Sequence, residues 1–127
     1  MKLKIELDGE VFGATLTKEI SPTTVEKIVE SLPIESEVMT WGDEVYFDVP
    51  VAMDEENARE SVSKGDIGYW PAGRTLCIFY GKTPISASEE HIKPASAVNV
   101  VGKIDEPDRL KSIGPKGGEQ IKISEWL

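Results

Sequence analysis

Residues 65–80 read Gly65-Asp66-Ile67-Gly68-Tyr69-Trp70-Pro71-Ala72-Gly73-Arg74-Thr75-Leu76-Cys77-Ile78-Phe79-Tyr80. Two short runs rich in apolar and aromatic residues flank a Pro-Ala-Gly break. Runs of this kind, bounded by glycine and proline, read as strands separated by a turn. Ile67 to Trp70 is the first strand, entered through the turn Lys64-Gly65-Asp66. Thr75 to Tyr80 is apolar along nearly its whole length, as a central strand buried on both faces should be.

The same punctuation continues outward. Toward the amino end, Leu3, Ile5 and Leu7 alternate with Lys2, Lys4, Glu6 and Asp8. That period of two predicts a half-buried strand. Asp8-Gly9 signals a hairpin, and Glu10 to Thr17 returns with Phe12, Ala14 and Leu16 on one face. Ser21-Pro22-Thr23-Thr24-Val25-Glu26 is the clearest helix start. Ser21 can cap it, with Pro22 in the first turn, or Thr23 and Glu26 can form a capping box two residues later. Val25, Ile28, Val29 and Leu32 lie on one helical face, and Pro33 ends the helix at about residues 22–32. Glu37 to Trp41 and Glu44 to Val49 form a second hairpin around Gly42-Asp43. Met53 to Ser63 is polar and is expected to hold a helical turn.

Toward the carboxyl end, Gly81 to Pro94 is a long loop. Ala97 to Ile104 is a strand with a bulge or bend at Gly102. Asp108 caps a short helical turn near residues 108–113, closed by Gly114-Pro115, and Gln120 to Ser124 ends the sheet. The expected fold is mainly β: a closed, eight-stranded, antiparallel-dominated barrel with one main helix and one short helical turn. Closure removes exposed strand edges. All 127 residues are read as one domain, within the usual size range of roughly 100–200 residues.

Composition narrows function by exclusion. Fourteen basic and 23 acidic residues give a net charge of −9, concentrated in residues 1–50, which hold four basic and eleven acidic residues. Without a basic face to displace phosphate counterions, nucleic-acid binding is not expected. No apolar run reaches the ~18 residues of a membrane span, and the charged, alternating opening is unlike a secretory signal. One cysteine, Cys77, and one histidine, His91, leave no internal disulfide and no nitrogen–sulfur metal cage. The expectation is a cytoplasmic protein with no metal and no cofactor. The acidic run Asp54-Glu55-Glu56 lacks calcium-loop spacing and is read as a helix-terminal cluster. Gly114-Pro115-Lys116-Gly117-Gly118 lacks the phosphate-loop pattern.

The order of these segments resembles the cyclophilin-like barrel, and in particular a small uncharacterised prokaryotic branch of that fold. Ile5-Glu6-Leu7 followed by Ser21-Pro22-Thr23-Thr24-Val25-Glu26 is similar to the cyclophilin opening. The block from Gly65 to Gly73 has the rhythm of the cyclophilin strand ending in Ala-Asn-Ala-Gly, and Val98 to Ile104 is similar to the late strand reading Val-Val-Phe-Gly-Lys-Val. The resemblance implies the fold and a groove along the strand Thr75–Tyr80. It does not carry over the isomerase residues. Cyclophilins use an arginine, a phenylalanine five residues on and a glutamine three further, and Trp41 to Pro50 contains no arginine or glutamine. Arg74 and Phe79 have the first spacing, but position 82 is Lys82.

Four residues are therefore expected to line a ligand groove: Tyr46, Trp70, Arg74 and Phe79. Trp70 would supply a stacking wall, Phe79 the floor, Arg74 a donor for a carboxylate, and Tyr46 a polar-tipped ring. Each has a plainer reading as core, rim or surface packing. Cys77 with His91 as base would be a nucleophile only if something lowered the thiol's pKa, and its neighbours Leu76 and Ile78 argue for an inert buried thiol. The function expected is a binding domain for a small molecule or an extended peptide, with a peptidyl-prolyl isomerase using a rearranged site as the alternative. The sequence leaves the oligomeric state and any partner protein open.

Overall fold

Asp8 and Gly9 take positive φ values of 48° and 86°, so the first hairpin turns tightly where the sequence places it. The computed structural model describes every residue from Met1 to Leu127. Strand β1 (Lys2–Leu7) pairs antiparallel with β2 (Glu10–Leu16), Leu7 opposite Glu10. Helix α1 (Pro22–Ser31) follows, then β3 (Ile34–Glu37), β4 (Met39–Thr40), β5 (Glu44–Asp48), β6 (Asp66–Trp70), β7 (Thr75–Phe79) and β8 (Asn99–Ile104). Helix α2 (Pro107–Ile113) and β9 (Gln120–Glu125) complete the chain. Neither helix is long and apolar enough to cross a membrane.

The strands form one antiparallel sheet in the order β3-β9-β1-β2-β8-β6-β7-β5-β4. Its two ends, β3 and β4, are separated only by Val38. Val38 donates its N–H to Glu119 O at 2.9 Å and accepts from Gly118 N–H at 2.8 Å. One bent segment thus pairs with β9 through its first half and with β5 through its second, bringing the sheet round into a nearly closed barrel. The expected count of eight becomes nine because the strand expected at Glu37–Trp41 begins earlier, at Ile34, and is divided by the bend at Val38.

Alternation along β5, β6 and β7 sorts side chains into two cores. Val45, Phe47, Ile67, Tyr69, Leu76 and Ile78 enter the larger cluster, together with Leu3, Ile5, Phe12 and Val25 and Ile28 of α1. Cys77 and Phe79 enter a smaller cluster with Val62, Ile92, Val98 and Val100, against which Tyr46 and Trp70 pack. Side chains of opposite parity on a strand must face opposite ways. The smaller cluster therefore lies on the other face of the wall, under the segment following β7. That covering explains why every residue of β7 is buried.

Four local expectations are corrected. Met53 to Ser63 holds no helical turn; it is irregular, bending at Glu56 and Asn57, with single bridges from Arg59 to Val98 and from Val62 to Ile92. The Ser21 side chain does not cap α1, nor does a Thr23–Glu26 box: Ser21 Oγ donates to Glu56 O, and the Glu56 carboxylate accepts from the N–H groups of Thr23 (3.1 Å) and Thr24 (2.9 Å) and from Thr24 Oγ1 (2.8 Å). A carboxylate is the stronger acceptor at a helix N-terminus. Of the acidic run only Glu56 serves a helix end, that of the earlier α1. The cap position of α2 is Glu106, with Asp108 inside the first turn. The β8 irregularity falls at Val101, which is skipped between the pairs Ile67–Gly102 and Gly68–Val100. Gly102 is needed for a different reason: a β-carbon there would run into the Thr15 carbonyl of β2.

Candidate functional site

The Gly42-Asp43 turn begins the site. Trp41 N–H donates to Glu44 O at 3.0 Å, so residues 41 and 44 flank a two-residue turn allowed by a positive φ of 59° at Gly42. A β-carbon on Gly42 would also strike Pro84 and the Lys82 carbonyl, so glycine meets both requirements. From this turn β5 carries Glu44 and Tyr46 outward, on the face opposite Val45 and Phe47. Tyr46 lies directly across from Cys77 of β7, and Cys77 lies across from Gly68 of β6. Trp70, two residues beyond Gly68, shares its face.

These side chains line a cavity of about 270 Å³. Trp41, Tyr46 and Trp70 are half-buried around it, Glu44 and Cys77 are buried, and the segment Pro94 to Val98 forms the opposite wall. Two glycines set the wall positions. Val98 rests on Gly68, where a β-carbon would lie 2.6 Å from Val98 Cγ2. The Trp70 ring rests on Gly73, where a β-carbon would lie 2.5 Å from Cε3 and Cζ3.

Glu44 is the electrostatic centre. It is 5% exposed and belongs to none of the ion pairs of the molecule. Burial pushes its carboxyl up to about 7, opposed only by a hydrogen bond with the Cys77 thiol. Cys77 is pushed well above its ordinary value, first by burial and then by the Glu44 charge and hydrogen bond. A thiol so held is protonated and weakly nucleophilic. No group of His, Cys, Asp and Glu side chains is gathered as a metal site.

Of the four residues expected to line a groove, Tyr46 and Trp70 meet in this cavity. Phe79 is fully buried in the cluster beneath and does not line it. Arg74 sits exposed at the β6–β7 turn with φ of 48°, its N–H donating to Pro71 O, outside the cavity lining. His91 is exposed and also outside it. Sequence reasoning passed over Trp41 and Glu44, although the turn signal Gly42-Asp43 between them was legible and places both at one strand end.

Comparison with known proteins agrees with this architecture. The family model described as Cyclophilin-like matches residues 1–124. The solution structure of the hypothetical protein AF2241 from Archaeoglobus fulgidus is similar, with 39% identity, a TM-score of 0.80 and coverage of 99% of this chain and 95% of that one. No curated protein matches the chain. With the match spanning nearly every residue and the antiparallel strands forming a nearly closed barrel, the chain belongs to the cyclophilin-like family.

Proposed function

We propose that this protein is a binding domain that holds a small molecule, or one side chain of an extended peptide, in the cavity walled by Trp41, Tyr46 and Trp70. The observation that carries this reading is the convergence of three aromatic side chains and one buried carboxyl on a single recess. Binding sites characteristically combine apolar and aromatic walls with a few placed polar groups. The volume, about 270 Å³, suits a headgroup or one side chain rather than several residues. Classical prolyl isomerisation is not part of this reading. Arg74, the donor nominated from sequence, stands outside the recess, and no arginine lines it.

The test is nuclear magnetic resonance titration with the Trp indole N–H signals as reporters. N-acetyl-Ala-Pro-amide and a panel of small apolar and charged fragments are added to the low-millimolar range. Saturable shifts at Trp41 and Trp70, with Trp126 unmoved, are expected for at least one compound. A panel that leaves both indoles unmoved overturns the reading. Exchange spectroscopy on the same prolyl peptide is expected to show no acceleration, and a measurable one would restore the isomerase alternative.

A further inference from the structure

Glu44 is buried without a cation, and the chain supplies none. Asp43, one residue earlier and more exposed, is paired with Lys111 at 3.5 Å. The acid that water could solvate is thus neutralised, while the buried one is not. No lysine or arginine lines the cavity, so none competes for the Glu44 carboxylate. A buried carboxylate without a counter-charge is costly, and the group must take up either a proton or a cation.

The remaining walls favour the cation. The faces of tryptophan and tyrosine rings attract positive charge, tryptophan most strongly. Three such rings share this recess with the carboxyl. The cation–π contact that the fold makes for itself, Arg109 over Phe12 at 4.0 Å, involves none of them. A neutral apolar ligand would leave Glu44 uncompensated, and an anionic one would meet both Glu44 and a molecule of net charge −9.

Resting on the binding reading above, we propose that the cavity takes an alkylammonium head, from a free quaternary amine or a methylated lysine side chain, with Glu44 as counter-ion and Trp41, Tyr46 and Trp70 as its aromatic walls. The carboxyl's position near neutrality means that a proton competes with the ligand. The groups around it are Cys77 across the sheet, Tyr80, whose hydroxyl is itself pushed up to about 12 by burial, and the Lys111-paired Asp43.

The experiment compares four probes at about pH 8, where Glu44 is mostly ionised. They are tetramethylammonium, choline, a short peptide carrying trimethyl-lysine, and 3,3-dimethylbutan-1-ol, the neutral carbon isostere of choline. Choline is expected to bind at least about tenfold more tightly than its isostere, as one or two kcal/mol of cation–π and charge attraction requires. Glu44→Gln should reduce that preference to the part the three rings supply, while its thermal melt shows an intact fold. Trp70→Leu, at a half-buried position, should weaken the cations more than the isostere. Tighter binding of the peptide than of tetramethylammonium would assign the head to a protein side chain, and the reverse to a free amine. Equal binding of choline and isostere, unchanged in Glu44→Gln, would overturn the cation inference and leave the binding reading standing. Failure of all four probes would also overturn it, while the prolyl peptide and fragment panel above decide the broader reading separately.

Discussion

Trp41 and Glu44 are joined across the Gly42-Asp43 turn by one backbone hydrogen bond of 3.0 Å, and both side chains line the same recess. A two-residue turn fixes its flanking residues as neighbours, so the aromatic wall and the buried acid are positioned by local geometry. The long-range part of the site is supplied by β6, β7 and the segment 94–98.

The Glu44 carboxyl makes stability depend on pH with a defined sign. Its value is about 7 in the fold and near 4.5 ordinarily, so the folded state binds more protons between those limits. Stability is therefore lost as pH rises from about 4.5 through about 7, by up to about 3 kcal/mol from this group. Cys77 and Tyr80 both feel the Glu44 charge, and the difference between wild type and Glu44→Gln isolates the Glu44 contribution. Urea denaturation at several pH values is expected to show the variant gaining on wild type toward pH 8. Parallel stability profiles would contradict it.

The two glycines under the cavity walls predict separable defects. Gly73→Ala places a methyl against the Trp70 ring, and Gly68→Ala places one against Val98. Overpacking of this kind costs about 1–3 kcal/mol. Gly73→Ala should shift the Trp70 indole signal and weaken any cavity ligand. Gly68→Ala should instead displace the 94–98 wall, seen as shifts at Val98 and Ser96. An unmoved Trp70 signal in Gly73→Ala would show that the ring does not rest there.

Glu56 ties the extended segment after β5 to the start of α1, and Asn99 completes the junction by bonding Glu56 N–H, Thr24 Oγ1 and Asp54 O. Burial pushes the Glu56 carboxyl up, but the hydrogen bonds from Thr24 and Thr23 outweigh this and hold it below its ordinary value. Its contribution is present above the ordinary carboxylate range and is lost as pH falls through the lowered value. Glu56→Ala should cost about 1 kcal/mol, the usual worth of a helix cap, at neutral pH and less in acid. Chemical denaturation at both pH values measures it; an equal cost at both would leave the cap without an electrostatic part.

Cys77 should resist alkylation. It is 4% exposed, and both burial and Glu44 disfavour the thiolate. Labelling of the native protein by iodoacetamide is expected to proceed no faster than the chain opens. Fast labelling rising with pH around neutrality would point to an accessible thiolate and a chemical role for the Glu44–Cys77 pair.

Much of the architecture was legible in the residues themselves. Alternation in Lys2–Leu7, the Asp8-Gly9 turn and the stripe Val25, Ile28, Val29, Leu32 each act over one turn or one strand, so local physics decides them. The uninterrupted apolar run of Thr75–Phe79 likewise announced a strand covered on both sides. What local pattern could not supply was the identity of the second covering layer. Cys77, Phe79 and Trp70 all lie on the outer face, yet Phe79 is closed over in a cluster with Val62, Ile92 and Val98, while Trp70 packs at that cluster's edge and faces the 94–98 segment across an open cavity. The helix cap shows the same limit: Ser21 was the nearest acceptor in sequence, but Glu56 was the better one in space. Glu44 reads in the chain as one more surface acid at a turn. Only the tertiary structure removes it from water, and an ionisable group acquires its chemistry from the solvent it loses rather than from its neighbours in sequence.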